Sequence, residues 1–280
     1  MKKIPVFILF LINIFYQSGK SQEMKVITYN IRYDDMKNTE TSWSQRKEML
    51  VNQLKFYEPD LFGIQEGLIN QLKYIDSSLS SYQYIGVGRD DGETKGEYCA
   101  IFYNTSKFKA IKQSTFWLSP TPDTVSMGWG AKFNRICTYA LFQSIETKKF
   151  IWVFNAHFDH MAEMARENSA KLIIEKINKV NIKKYPVIFM GDLNAEPQAS
   201  PIQYISSLMN DSRLVGADLV FGNEGTFNGF EFNKPLTKRI DYIFTSKNDF
   251  KMLKYAVLSD SKNCMYPSDH LPVYAEMVVK

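Results

Sequence analysis

The feature that most limits what this chain can fold into is a series of short apolar runs, most of which end on or just before a polar residue. Glu23–Ile31 ends around Asn30 and Arg32, and Leu61–Glu66 closes on Glu66. Phe150–Phe154 is followed by Asn155 and His157, and Tyr185–Phe189 leads through Gly191 to Asp192 and Asn194. Arg239–Phe244 carries Asp241 in an apolar setting, and Asp269 and His270 stand just before a last run, Val273–Val278. Runs of this length, rich in β-branched and aromatic residues, predict buried strands. Further strands are expected over Tyr82–Val87, Tyr98–Tyr103, Lys109–Leu118 and Arg135–Ile145. Helical periodicity falls on Ser42–Phe56, Leu68–Leu79, Met161–Val180 and a short piece near Pro201–Leu208, the first with capping-box spacing at Ser42-Trp43-Ser44-Gln45. Strands and helices in this succession predict a layered α/β fold, in which the ends of neighbouring strands meet on one rim.

Each polar strand end has a bland reading beside a chemical one. Asp192 and Asn194 are two residues apart, which puts a carboxylate and a carboxamide in one small volume, and the same pair is ordinary turn chemistry. Glu66 closing an apolar strand needs a cation or a partner, or else it is an exposed strand end. Asn30 serves equally as a strand-end hydrogen bonder, and Asp241 as a buried partner of Arg239. The set together favours function. The chain has only three histidines, and all of them, His157, His160 and His270, lie in these stretches. Several carboxylates without a cysteine cluster suit a hard cation such as Mg²⁺ or Mn²⁺, and histidines beside aspartates suit proton transfer or stabilisation of a charged oxygen. His160 reads as structural or at the rim. Arg135, at the mouth of a strand, suits a phosphate clamp.

Residues 1–21 read as a secretory signal peptide: a basic start, an apolar stretch from Ile4 to Tyr16, and a polar end with cleavage expected after Ser21. That predicts export to a periplasm or the medium, with no stable membrane insertion and no second span behind it. Residues 22–280 carry no repeat or linker and predict one catalytic domain. The net charge of +4 includes Lys2, Lys3 and Lys20, so the remaining chain carries 31 basic against 30 acidic residues. Near-neutrality disfavours a dedicated nucleic-acid binder. The three cysteines, Cys99, Cys137 and Cys264, sit in β-like or apolar settings, fit no zinc spacing and predict no disulfide framework. The long segment Ser119–Asn134, with Trp117 just before it and Trp129 within it, is either a substrate-contacting loop or a self-packed lid. Trp117, Trp129 and Phe227 are candidates to stack on a sugar or base.

The order Thr28-Tyr29-Asn30-Ile31-Arg32, Gln65-Glu66, Asn155-Ala156-His157, Gly191-Asp192-Leu193-Asn194, Arg239-Ile240-Asp241-Tyr242, Ser268-Asp269-His270 resembles the endonuclease/exonuclease/phosphatase superfamily over nearly all of residues 28–270. It is most similar to a bacterial exported branch. The resemblance implies a four-layer α/β/β/α sandwich, two mixed sheets packed face to face with helices outside, and a divalent-metal-dependent phosphoesterase that works by in-line attack of water. It implies Glu66, Asn30 and Asp269 at the metal, Asp192 on the attacking water with Asn194 beside it, His270 oriented by Asp241 on the phosphoryl oxygen, and His157 on phosphate or the leaving oxygen. Asn155 and Arg135, with Trp117 and Trp129, are the substrate-side candidates. Arg32 stands where the apurinic endonucleases carry an acidic metal-site residue, which argues against a second metal. The expected substrate is a small sugar-, glycan- or lipid-headgroup phosphate cut by a monomer. Nucleic acid is the less favoured partner, and binding of a phosphorylated ligand without catalysis is the alternative outside enzymology.

Overall fold

The computed structural model describes residues 22–37, 39–216 and 219–280; the expected signal peptide lies outside the described residues. Two mixed sheets form the centre. In the first, β10 (Leu219–Gly222), β12 (Phe250–Val257), β13 (Val273–Val279), β1 (Gln22–Asn30), β2 (Leu61–Gly67), β4 (Tyr98–Asn104) and β3 (Tyr82–Ile85) run side by side in that order. The second is β5 (Phe108–Trp117), β6 (Ile136–Ser144), β7 (Phe150–His157), β8 (Val187–Asp192), β11 (Asp241–Ser246) and β9 (Met209–Asp211). Helices α1 (Trp43–Tyr57) and α2 (Ile69–Ser78) cover the outer face of the first sheet, and α3 (Glu163–Val180) and α4 (Ser200–Leu208) that of the second.

Side-chain parity explains the layers. Along β8, Ile188 and Met190 pack between the sheets, whereas Val187 and Phe189 face the helix layer holding Ile173 and Ile202. On β7, Ile151 and Val153 point inward and Trp152 and Phe154 outward, and on β11 Ile243 is inward and Phe244 outward. On β1, Val26 faces the sheet interface, whereas Ile27 and Tyr29 meet Leu50 and Leu54 of α1. Each fully buried Leu, Ile or Phe contributes roughly 1.5–3 kcal/mol, so both faces of each sheet are specified strongly and a one-residue slip is excluded.

The same parity carries a row of polar groups to one end of the interface. Counting on from the inward residues, Asn30, His157, Asp192 and Asp241 all fall on the inner face at their strand ends. Register places His157 beside Asp192 and Asp192 beside Asp241, so three neighbouring strands present them as one row. Gly191 makes the close approach feasible. Its φ is +149°, and a Cβ there would lie 1.9 Å from the Ala156 carbonyl oxygen.

Three strands escape the sequence reading. β12 carries a register irregularity between Met252 and Lys254 that breaks its alternation, β10 is exposed throughout, and β9 has only three residues. At α1, the capping-box expectation is corrected: Ser42 makes no side-chain cap bond, and its hydroxyl meets Ser44 Oγ at 2.9 Å. Cys99 and Cys137 are buried and all three thiols are free, but Cys264 is exposed in a turn rather than held in an apolar setting. Among the described residues no helix is long and apolar enough to cross a membrane.

Candidate functional site

A cavity of about 1200 Å³ opens at this polar end of the sandwich, and Arg32, Glu66, His157, Asp192, Asn194, Asp269 and His270 line it. Asn30 sits beneath it and bridges the sheets, its Nδ2 donating to Glu66 Oε1 at 3.0 Å and Asp192 Oδ2 at 2.9 Å. Glu66 is the exception to parity, since regular alternation would send it toward the helix layer. An irregularity in the β2–β4 pairing and a φ of +64° at Glu66 turn its carboxylate back into the cavity. Arg32 (φ +54°) and Asn194 (φ +46°) also occupy the left-handed region, which costs a non-glycine residue of order 1 kcal/mol or more. Three such residues thus line the same cavity.

Asp192 is the hub. Its Oδ1 accepts the Asn194 backbone N–H at 2.9 Å, while Oδ2 lies 3.4 Å from His157 Nε2 and 3.8 Å from His270 Nε2. Asn194 therefore enters the site through an Asx-type turn rather than by continuing the strand, and its side chain donates to the Phe158 carbonyl at 3.0 Å. Each histidine is flanked by a second carboxylate: Asp241 Oδ2 is 2.9 Å from His270 Nδ1, and Glu97 Oε2 is 3.8 Å from His157 Nδ1. The two rings differ electrostatically. Burial disfavours charge on His270, but Asp241 and Asp192 overcome it and hold the ring well above its usual range, as an imidazolium. Burial, together with the Arg135 and Arg89 cations, holds His157 well below, as a neutral imidazole.

The carboxylates are short of positive charge. Burial and then Asp241 push the Asp192 carboxyl up to about 7, against the pull of His270. Asp269 is raised by burial and by Glu66, with His270 and Arg32 opposing. The Arg32 guanidinium spans two of the acids, 3.6 Å from Glu66 and 3.7 Å from Asp269. Ligand atoms of Glu66, His157 and Asp192 lie within 4.8 Å of one another. Two carboxylates and an imidazole within that span, with the Asp192 carboxyl raised by burial and by Asp241, suit a divalent cation.

Sequence reasoning missed Glu97 and Arg89, which pair at 2.6 Å on the cavity wall. They lie at the edge of a glycine- and aspartate-rich hairpin with no strand-end pattern to mark them. Arg135 lines the same wall; its Nε is 3.4 Å from Asp159 and its Nη2 2.9 Å from His160 Nδ1. His160 faces the cavity and stacks on Phe133 with centroids 6.0 Å apart.

Three substrate-side expectations are corrected. Asn155 is 0% exposed, and its Nδ2 donates to the Ile64 and Ala100 carbonyls while Oδ1 accepts from Gln65 Nε2. It has the inward parity of His157 but sits two residues deeper, where it pins one sheet to the other. Gly63 leaves room for it: a Cβ there would be 2.8 Å from Asn155 Cγ. Trp117 is buried with its indole N–H on the Arg89 carbonyl at 2.8 Å, and it lies outside the cavity lining. Trp129 is half-buried and also outside the lining, while Phe227 does line it, edge-on to His270. The alternative pairing of Asp241 with Arg239 is not formed; Arg239 binds Asp211 at 2.8 Å.

A profile described as the Endonuclease/Exonuclease/phosphatase family matches residues 27–270. A protein of that family from Bacteroides thetaiotaomicron superposes with a TM-score of 0.88 at 36% identity, covering 93% of this chain and 99% of its own. A mannosyl-6-phosphatase from the same organism superposes at 0.86 and 37% identity, with 91% and 99% covered. The CCR4-Not complex 3′-5′-exoribonuclease subunit Ccr4 of Candida glabrata is 22% identical over 83% of this chain, which spans only 33% of that protein's length.

Proposed function

This chain belongs to the endonuclease/exonuclease/phosphatase family of metal-dependent phosphoester hydrolases, and from that premise we propose that it is an exported, Mg²⁺-dependent phosphatase of a small sugar phosphate. The observation that carries the reading is the convergence of Glu66, Asp192, Asp269 and a charged His270 on the floor of one cavity. Glu66 and Asp269 are the residues that would hold Mg²⁺ or Mn²⁺, which when bound supplies Lewis-acid stabilisation of charge on a phosphoryl oxygen. Asn30, expected at the metal, instead orients the Glu66 and Asp192 carboxylates through its Nδ2, and its Oδ1 accepts the Arg32 N–H. Asp192 orients the attacking water and takes its proton, with Asn194 fixing the turn that aims it. His270, kept cationic by Asp241, neutralises charge developing on a non-bridging oxygen. Neutral His157 hydrogen-bonds the leaving oxygen, and Arg135 at the wall takes the phosphate's remaining oxygens.

The sugar assignment draws on the likeness to the mannosyl-6-phosphatase, which runs over nearly the whole of both chains. Near-neutral charge outside residues 1–21 agrees with it, and those residues are the ground for export. The test compares kcat/KM in Mg²⁺ for mannose 6-phosphate, bis-p-nitrophenyl phosphate and single-stranded RNA. The sugar phosphate is expected to lead by about tenfold or more, a gap of roughly 1.4 kcal/mol in transition-state binding. RNA as the preferred substrate, with a steep fall of binding in salt, would replace this reading with a nuclease.

A further inference from the structure

Behind the cavity floor, α1 sends one cationic side chain under the strand ends. Arg46 is 0% exposed, and its hydrogen bonds run to backbone carbonyls: Nε to Thr41 at 2.7 Å, Nη1 to Ile31 at 2.7 Å and Pro267 at 2.9 Å, Nη2 to Arg32 at 2.8 Å and Tyr33 at 3.4 Å. Three consecutive carbonyls on one guanidinium is not a strand geometry, because successive carbonyls of an extended chain point to opposite sides. The left-handed turn at Arg32 brings them together. Burying a guanidinium is costly, and these bonds to carbonyls offset the cost while committing the fork to two separate segments.

We propose that Arg46 is a positioning residue for the cation site, fastening the backbone after Asn30 to the Pro267–Asp269 segment and so fixing the Asp269 carboxylate relative to Glu66 on the cavity floor. One segment, carrying Asn30 and Arg32, lies at the end of β1, and the other, carrying Asp269 and His270, lies just ahead of its neighbour β13. Besides the Arg32–Asp269 ion pair inside the cavity, at 3.7 Å, two side-chain links tie these segments from below: the Arg46 fork and the Ser268 hydroxyl, which donates to the Asn30 carbonyl at 2.7 Å. Arg46 touches no substrate atom in this account. Its effect is transmitted through the spacing of the carboxylates. Lysine keeps the charge but is a point donor on a flexible stem, and it cannot reproduce a fork that spans both segments.

The experiment strips metal from the full chain and titrates Mn²⁺ by calorimetry, beside thermal unfolding in EDTA and steady-state kinetics. Titration reads the cation site without a substrate, so an error in the sugar assignment leaves this test standing. Arg46→Lys is expected to weaken Mn²⁺ binding about tenfold or more and to lower kcat more than KM. A lower melting temperature with Mn²⁺ affinity unchanged would make Arg46 a purely structural residue and overturn the proposal. If Arg46→Lys does not fold, Ser268→Ala decides. Loss of the second tie is expected to weaken Mn²⁺ binding by about threefold or more, the equivalent of one hydrogen bond, and unchanged affinity would overturn the proposal.

Discussion

Asp192→Asn is expected to lower kcat by about 10³-fold, within the range for loss of a general base, and at the same time to become relatively more stable as pH rises in EDTA. Both effects come from one placement. The carboxylate is 1% exposed among two histidines and Asp241, and its pKa is pushed up to about 7. The folded chain therefore binds this proton more tightly than the unfolded chain, whose aspartate titrates near its ordinary value of 3.8. Stability is thus lost as pH climbs between these two values, and above about 7 the deficit is constant, roughly 4 kcal/mol. Asparagine cannot ionise and escapes that loss. Both carboxylate oxygens accept from N–H donors, those of Asn194 and Asn30, so the new amide must turn its NH₂ toward one of them. The variant consequently starts below wild type near pH 4, and the difference in melting temperature moves in its favour by several degrees up to pH 8. Saturating Mg²⁺ should restore the wild-type advantage, because a bound cation stabilises the ionised form. Melting curves of both proteins at four pH values check this. A pH-independent difference would mean that Asp192 is not the strained group described.

Asp241→Asn is expected to cut kcat by about 10²-fold and to move the basic limb of the pH–rate profile toward neutrality. The 2.9 Å contact to His270 Nδ1 survives as a neutral hydrogen bond, so ring orientation is kept and the charge is removed. Asp241 is the largest of the influences that raise the His270 pKa. Without it the imidazolium loses its proton at lower pH, and oxyanion stabilisation is lost sooner as pH rises. A profile that keeps its basic limb while losing amplitude would show that Asp241 acts through packing rather than charge.

The strands were legible as apolar runs closed by polar residues, and the four-layer sandwich followed from the family resemblance that those polar ends carry. Met190, Asp192 and Ile188 share a parity that can be read in the sequence, and so do Val153, Asn155 and His157. Where alternation breaks, legibility ends: β12 was missed at its irregularity, and the inward turn of Glu66 depends on a backbone conformation that no residue type announces. Asn155 was read as a substrate group from its nearness to His157. Depth along the strand, which parity does not encode, puts it under the opposing sheet instead. Arg89, Glu97 and Arg46 bear on the site through contacts between distant segments, which periodicity cannot reveal. Trp117 and Trp129 were attributed to substrate from the aromatic content of the loop and its flank; Trp117 is buried on the Arg89 carbonyl, and neither lines the cavity.

The most direct measurement is hydrolysis of p-nitrophenyl phosphate, a monoester that needs no particular alcohol, by wild type and Asp192→Ala in Mg²⁺, in EDTA and after Mg²⁺ is restored. Wild-type turnover in Mg²⁺ that vanishes in EDTA, returns with the cation and is absent from the variant is the result expected for water attack at this carboxylate-lined floor. Turnover indifferent to EDTA, or undiminished by loss of Asp192, would place the chemistry elsewhere and contradict the account.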